Sequence, residues 1–567
     1  MWFAARCERG CPRVAVSTRP VNVPWERRFL PRAIILAASL LATSLAAAQA
    51  LVAEEIGVEA TRSGSGPIHP LPLISHWNTG KHPLADGWSP RRQLDLIAQG
   101  HFLLPWFEHP DDDDDLIERD DTRFRAYYEA AIKRARDLRL PLVLVASQWE
   151  RFLSREPYLG LPLDRNPNVV TPGGKVLPIV SPFGALEPWR EVGRKVTDNP
   201  RMRLLQEWYP DPPKVVFLSN NEHEKLAWKD VEESSRYLRM YGRGRDDDFK
   251  RAVVAHGWIV RYRALQSGMR EGLTAGWKAR AIFVAYDAFG PRHFGRWYGW
   301  KRHSLYVPGR IDPSPLMWDG ASLSFYTDNW NSSTDYRLFS PQIESMNWVF
   351  MQREASALNP DFWLELSVWD GHVAGANNDK RAYYARLGQS YGPDRYAGMA
   401  QFGMWLLRPR VVREFRGWTE SWDDGKPYFM SLVAAVDRVH TNPVLRTWWR
   451  SGQLVANTAH SHPYESSIPP RYRAADRWFL LDSDVNPRFP WDGATDIRVF
   501  SLALVKGHDP NREWLVYAYS PLGERKNVKL TVPGFGRIQV DLSTAGSFFL
   551  VDERTRTCNQ VFDPSTR

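Results

Sequence analysis

Two stretches of this chain end apolar runs in groups that can do acid–base chemistry. Lys214 to Leu226 (KVVFLSNNEHEKL) passes from Val215 to Leu218 almost directly into Asn220, Asn221 and Glu222. Phe362 to Trp369 (FWLELSVW) carries Glu365 among apolar neighbours and is followed at once by Asp370. Two carboxylates across a cleft are what breaking a glycosidic bond requires: one protonates the leaving oxygen, the other attacks the anomeric carbon or activates water. Strand alternation puts Leu364, Leu366 and Val368 on one face and Trp363, Glu365, Ser367 and Trp369 on the other. An acid turned inward among apolar groups is costly unless paired or functional. Glu365 therefore reads as a nucleophile, with Asp370 as the alternative and a salt bridge to Arg408 as the structural reading. Glu222 reads as the second acid of the pair, against the plainer reading of a solvated loop acid like Glu224.

Tryptophan points the same way. The chain has 26 Trp, as many as Phe and more than its 21 Tyr, and several stand beside polar groups: His76-Trp77-Asn78, Trp149-Glu150, Trp318-Asp319, Asn329-Trp330-Asn331 and Trp369-Asp370. Indole faces stack on the C–H faces of sugar rings while amides and carboxylates take the hydroxyls, so such pairs suit a carbohydrate cleft. A Trp-rich core is the competing reading, since large aromatics are mostly well buried.

These groups need a scaffold that brings distant segments to one place. From residue 70 onward short apolar runs alternate with segments of helical period, the pattern of βα units around a parallel sheet. Strands are expected at Leu71 to His76, Phe102 to Phe107, Leu142 to Ser147, Lys214 to Ser219, Arg280 to Tyr286, Leu323 to Tyr326, Phe362 to Trp369 and Met399 to Trp405. Helices are expected at Thr122 to Leu138, Phe249 to Leu273 and Gln342 to Leu358. Eight such units fit a (β/α)8 TIM barrel, and the doubly wound alternative lacks its Gly-rich fingerprint. The C-terminal strand ends of such a barrel converge on the active site. They would supply His76, Trp77, Asn78, Glu108, Trp149, Glu150, Asn221, Tyr286, Asp287, Trp369 and Asp370 as substrate-binding groups around the two acids. After about residue 472, short β-rich runs broken by Pro, Gly and Asn read as an antiparallel β-sandwich. The expected organisation is a leader over 1–50, a barrel over 67–465 and a C-terminal sandwich over 473–557.

An Asn-Glu pair closing the fourth strand and a Glu on the seventh resemble the clan A glycoside hydrolases, barrel enzymes that retain anomeric configuration and often carry a β-sandwich. The resemblance covers roughly residues 67 to 460 and rests on a short motif and strand order, and it singles out no family within the clan. It implies Glu222 as acid/base, Asn221 as the amide binding the sugar 2-hydroxyl, and Glu365 as nucleophile.

Charge and cysteine bound the rest. The formal charge is +9, but the first fifty residues contribute +5 of it, which leaves too weak an excess to argue for nucleic acid. Arg27, Arg28 and Arg32 precede the apolar run Ala33 to Ala48, the layout of a secretory signal peptide, so the mature chain is expected to be periplasmic or extracellular without stable membrane insertion. Cys7 and Cys11 fall in the leader, leaving Cys558 alone and no intrachain disulfide. No cofactor or metal is expected: His76, His82 and His109 lack the HExxH spacing, and Asp111 to Asp115 reads as solvated loop rather than a Ca²⁺ site. Arg292, Arg296, Lys301 and Arg302 share one long loop; a solvated loop is the preferred reading, and contact with sulfate or carboxylate groups of an anionic glycan is the alternative. The reading is a secreted, retaining, endo-acting glycosidase. A non-catalytic carbohydrate-binding barrel and a polysaccharide lyase are the alternatives.

Overall fold

The computed structural model describes residues 73–77, 90–110, 121–146, 148–219, 226–286, 313–326, 341–360, 362–369, 392–415, 422–455, 481–485, 498–521 and 523–562. Eight strands form one sheet: β1 Leu73–Trp77, β2 Trp106–Glu108, β3 Leu142–Ala146, β4 Val215–Ser219, β5 Ala281–Tyr286, β6 Gly320–Tyr326, β7 Trp363–Trp369 and β8 Val411–Phe415. Runs such as LVLVA in β3 and VVFLS in β4 are apolar at nearly every position because both faces are covered, as in parallel sheets generally.

All neighbours are parallel and the order is β1-β8-β7-β6-β5-β4-β3-β2. The first strand lies beside the last, from Leu73 opposite Val411 to Trp77 opposite Phe415. A doubly wound sheet reverses its order near the first strand; this one never reverses. The sheet is curled. Trp106, Val143, Val145, Val216, Leu218, Ile282, Val284, Trp363 and Val411 form one cluster on its inner face. Lys214, at the foot of β4, has its Nζ 5.2 Å from the Trp363 ring of β7, where a flat sheet would hold those strands roughly 14 Å apart. Among the described residues no ladder joins β1 to β2, and side chains bridge the arc's ends instead. His101 Nδ1 meets Asp437 Oδ2 at 2.7 Å, the Phe102 amide donates to Asp437 Oδ1 at 3.2 Å, and the Phe102 and His440 rings stack at 3.8 Å.

Helices among the described residues include α1 Pro90–Ala98, α2 Asp121–Asp137, α3 Glu187–Thr197, α4 Pro200–Trp208, α5 Ser235–Tyr241, α6 Asp247–Glu271, α7 Pro341–Leu358, α8 Pro393–Leu407 and α9 Trp422–Thr441. α2, α6 and α7 lie within two residues of their expected limits. Phe124, Tyr128, Ala131 and Ala135 of α2 are buried together, the stripe that its 3.6-residue period requires. α3 and α6 pack backbone to backbone: a Cβ on Gly193 would stand 2.0 Å from the Leu265 carbonyl oxygen and one on Gly268 1.9 Å from that of Arg190. No larger residue fits at either crossing.

The expected eighth strand is a correction. Met399 to Trp405 lies inside α8, and the strand follows it at Val411–Phe415. α8 is buried on every side from Met399 to Leu407, so its sequence lacks the polar face that marks a surface helix. The true strand was hidden by Arg413 and Glu414 in a five-residue run.

α8 is apolar all round because it lies between two sheets. Beyond it the chain forms β9 Phe500–Lys506, β10 Glu513–Tyr519, β11 Arg525–Val532, β12 Gly536–Leu542, β13 Ser547–Asp552 and β14 Thr557–Gln560. β9, β10, β13 and β14 join Gln453–Leu454 in one antiparallel sheet, and β11 and β12 join Asp482–Ser483 in another. The two sheets enclose a common core that includes Trp514, Val516, Leu530, Val540 and Phe549. The other face of the larger sheet covers α8: Phe402 meets Phe500 at 5.8 Å, Trp405 meets Phe548 at 5.5 Å, and the Tyr517 hydroxyl donates to the Gly398 carbonyl at 2.8 Å. The chain already enters that sheet at Gln453, before the expected barrel limit at residue 465.

Candidate active site

The C-terminal ends of the parallel strands define one rim, and the residues there divide into three groups. Asn78, Asn221, Glu222, Asp287 and Asp370 lie outside the described residues, as do Asp111 to Asp115, Arg292, Arg296, Lys301 and Arg302. For His76, Trp77 and Trp369 the described feature is the backbone: each lies in the last two positions of β1 or β7. The remaining four, Glu108, Trp149, Glu150 and Tyr286, have side-chain surroundings.

Glu108 closes β2 on the same face as Trp106, and Tyr286 closes β5 on the same face as Ile282 and Val284, so both turn toward the inner side of the sheet and both keep some exposure. Trp149 and Glu150 correct the expectation. The 3-10 turn Trp149–Ser154 after β3 packs them outward, between sheet and helices. Trp149 has no exposed surface and lies against Phe217 at 6.3 Å and His109 at 5.9 Å. Glu150 accepts from the Tyr262 hydroxyl of α6 at 2.8 Å. Trp318-Asp319 does the same job from the other side. Asp319 accepts from Arg263 and Arg270 of α6, each at 3.1 Å, and from the Phe283 amide at 3.0 Å. These acids beside tryptophans clasp α6 to the sheet, a use for the polar companions that sugar stacking did not require.

His109 shares that layer. Burial, and next the charge of Arg151, pull its pKa from 6.5 to about 3, so the imidazole is neutral. Neither of its ring nitrogens has a hydrogen-bond partner among the described residues.

Glu365 faces inward, as alternation requires, with Leu364, Leu366 and Val368 in the helix-side core. Its oxygens are engaged: Oε2 accepts from Arg413 Nε at 2.9 Å and Nη2 at 2.7 Å, and Oε1 from the Trp363 indole at 3.0 Å. Neither side chain of the ion pair has exposed surface. Glu365 is the third of seven residues in β7, opposite Ser322 of β6 and the first residue of β8. Four residues of strand, about 13 Å, separate it from the rim end at Trp369. The ion pair is thus the structural reading of Glu365, with a different partner from the one expected. The Arg408 guanidinium instead donates to the carbonyls of Trp449 and Gly452. Arg413 was missed because its strand was missed, although its inward register with Val411 follows from the sequence once β8 is placed. Above and beside the pair, the Ser322 and Ser367 hydroxyls are buried without partners among the described residues.

Beside the rim at β3 and β4 the long loops knit into one wall. Arg236 of α5 donates to the carbonyls of Leu163 at 2.5 Å, Asn166 at 2.7 Å and Asn168 at 2.7 Å. The Leu226 amide, four residues past Glu222, donates to Val180 at 3.2 Å. The hairpin Asn168–Val170 and Val176–Val180 stands in this wall, at the turn expected around Thr171 to Gly174. Among the described residues no group of three or more His, Cys, Asp or Glu side chains is placed to hold a metal ion, and no helix is long and apolar enough to cross a membrane.

Fold and rim together define a curled, consecutively ordered parallel α/β sheet with an antiparallel domain docked on its last helices. No family model matches the chain, and no curated protein matches it. Solved structures of glycoside hydrolases do. A β-galactosidase from the psychrophilic Marinomonas ef1 is 12% identical at a TM-score of 0.35, over 68% of this chain and 62% of that one. An endo-β-1,4-glucanase from Bacillus halodurans is 10% identical at 0.32, over 90% and 78%. A GH36 α-galactosidase from Geobacillus stearothermophilus is 11% identical at 0.36, over 87% and 55%. The chain spans less than two thirds of the Marinomonas and Geobacillus proteins.

Proposed function

We propose that this chain is an exported, retaining glycoside hydrolase acting within a poly- or oligosaccharide, built on a closed (β/α)8 barrel with a C-terminal β-sandwich. The observation that carries the reading is the strand order. With β1 beside β8 and no reversal between, all eight C-terminal ends belong to one rim, and acids follow those ends in sequence. Glu222 comes three residues after the last residue of β4, and Asp370 directly after the last residue of β7.

In this reading Glu222 protonates the departing oxygen and later activates water, while Asn221 binds the sugar 2-hydroxyl. Asp370 attacks the anomeric carbon, because Glu365 is committed to Arg413 well below the rim. Glu108 and Tyr286 line the cleft from β2 and β5. A nearby negative charge raises the pKa of the acid and keeps it protonated for the first step.

The test incubates the purified chain and its Glu222→Gln, Asp370→Asn and Glu365→Gln variants with neutral and sulfated plant and algal polysaccharides, and measures reducing ends. Glu222→Gln and Asp370→Asn are expected to lose about 10²–10⁴-fold in turnover with unchanged melting temperature and retained glycan binding. Glu365→Gln is expected to lower the melting temperature. A Glu365→Gln protein of wild-type stability with no turnover, beside an active Asp370→Asn, would return the nucleophile to Glu365. Reducing ends absent in every case would make the chain a binding protein.

A further inference from the structure

The flank of the sheet beside β1 and β8 carries a feature outside the rim. Between α1 and α9 lies a cavity of about 570 Å³, lined by Arg91, Arg92, Asp95, Leu96, Gln99, Lys426 and Met430. α1 is the first described helix after β1 and α9 the first after β8. In a βα unit the helix starts where the strand ends, so the first turn of α1, with Arg91 and Arg92, and the second turn of α9, with Lys426, stand toward the rim side of the molecule.

The lining has two parts. Arg91, Arg92 and Lys426 are exposed, and Asp95 is the acid among the described lining residues. Among the described residues neither Arg91 nor Lys426 has an acid partner. Below them Leu96 is buried and Met430 half-buried, giving an apolar floor, with the Gln99 amide at its edge. Clustered like charges repel one another and attract a counter-ion. A guanidinium fork matches the oxygens of sulfate or carboxylate, and an ammonium adds a point charge. An amide beside an apolar floor suits hydroxyls beside a C–H face. The volume lies within the range of small-ligand sites, roughly 300–1,000 Å³.

We propose that this cavity is a secondary binding site for a sulfated or uronic saccharide unit, anchoring the same polysaccharide whose backbone is cleaved at the rim. The site rests on the glycosidase reading for its ligand class, and it makes the substrate an anionic glycan. With both helix starts on the rim side, the anchor would hold a substrate away from the bond being broken.

The test measures binding, not turnover, so that it stands apart from the failure of the catalytic reading. The full chain carrying Glu222→Gln is titrated calorimetrically with oligosaccharides of dextran sulfate, of polygalacturonate and of neutral dextran. Adding Arg91→Glu with Lys426→Glu is expected to weaken binding of one or both anionic probes by about tenfold or more, about 1.4 kcal/mol, and to leave the dextran arm unchanged. Which anionic probe loses affinity identifies sulfate or carboxylate as the group held. A control pair, Arg537→Glu with Lys529→Glu, makes the same charge change on exposed positions of the C-terminal sheets and is expected to lose little. Equal losses in the two pairs, or wild-type affinity in the first, would overturn the site.

Discussion

The two halves of the sheet's inner face are built from different chemistry. β2, β3, β4 and β5 present Trp106, Val143, Val145, Val216, Leu218, Ile282 and Val284, a packed apolar layer. β6, β7 and β8 present Ser322, Glu365, Ser367 and Arg413, all without exposed surface, beside Trp363 and Val411 at the foot of β7 and β8. Branched side chains filling the interior need only fit. Buried charges must find partners, and removing one leaves the other stranded. The apolar half can therefore be read as scaffold from composition alone, whereas the polar half carries obligations that fix which residues pair.

The largest expected effect breaks the polar half. Arg413→Met leaves Glu365 buried and uncompensated and is expected to cost about 3–5 kcal/mol in urea unfolding. Adding Glu365→Leu should restore much of that. A single variant within 1 kcal/mol of wild type would mean the pair does not hold this half together.

A smaller effect sharpens the β2–β5 side, where His109 follows β2 as a buried neutral imidazole. The folded protein resists protonation down to about pH 3, while the unfolded chain takes up a proton near 6.5. Its contribution to stability is whole above pH 6.5 and is lost as the pH falls toward 3, at up to about 1.4 kcal/mol per pH unit. Wild type should lose stability relative to His109→Leu in urea unfolding as the pH falls from 6.5 toward 3; a difference independent of pH would place the imidazole in water. The smallest effect is Ile282→Val in the apolar half, expected to cost about 0.5–1.5 kcal/mol with turnover unchanged. A loss of turnover there would show that the apolar layer does more than fill space.

The same contrast governs what could be read from sequence. β3, β4, β5 and β7 were legible because parallel strands buried on both faces read as apolar runs with sharp ends. β8 was not, since Arg413 and Glu414 interrupt its pattern, and the apolar run before it belongs to a helix with no polar face. The inward turn of Glu365 followed from alternation, but its partner depended on a strand not yet placed. Trp149-Glu150 and Trp318-Asp319 misled for another reason. An acid next to an indole has the same local appearance whether it binds a sugar or α6, and only the position of Tyr262, Arg263 and Arg270 decides.

The burial of α8 between the parallel sheet and β9, β10 and β13 has a practical consequence. Cutting the chain after residue 455 would strip the cover from Phe402, Trp405 and Gly398 at once, so the shortened product inherits an adhesive surface instead of a clean domain edge. Expression of this molecule belongs with its C-terminal sheets attached, and proteolysis that frees them should end in precipitation.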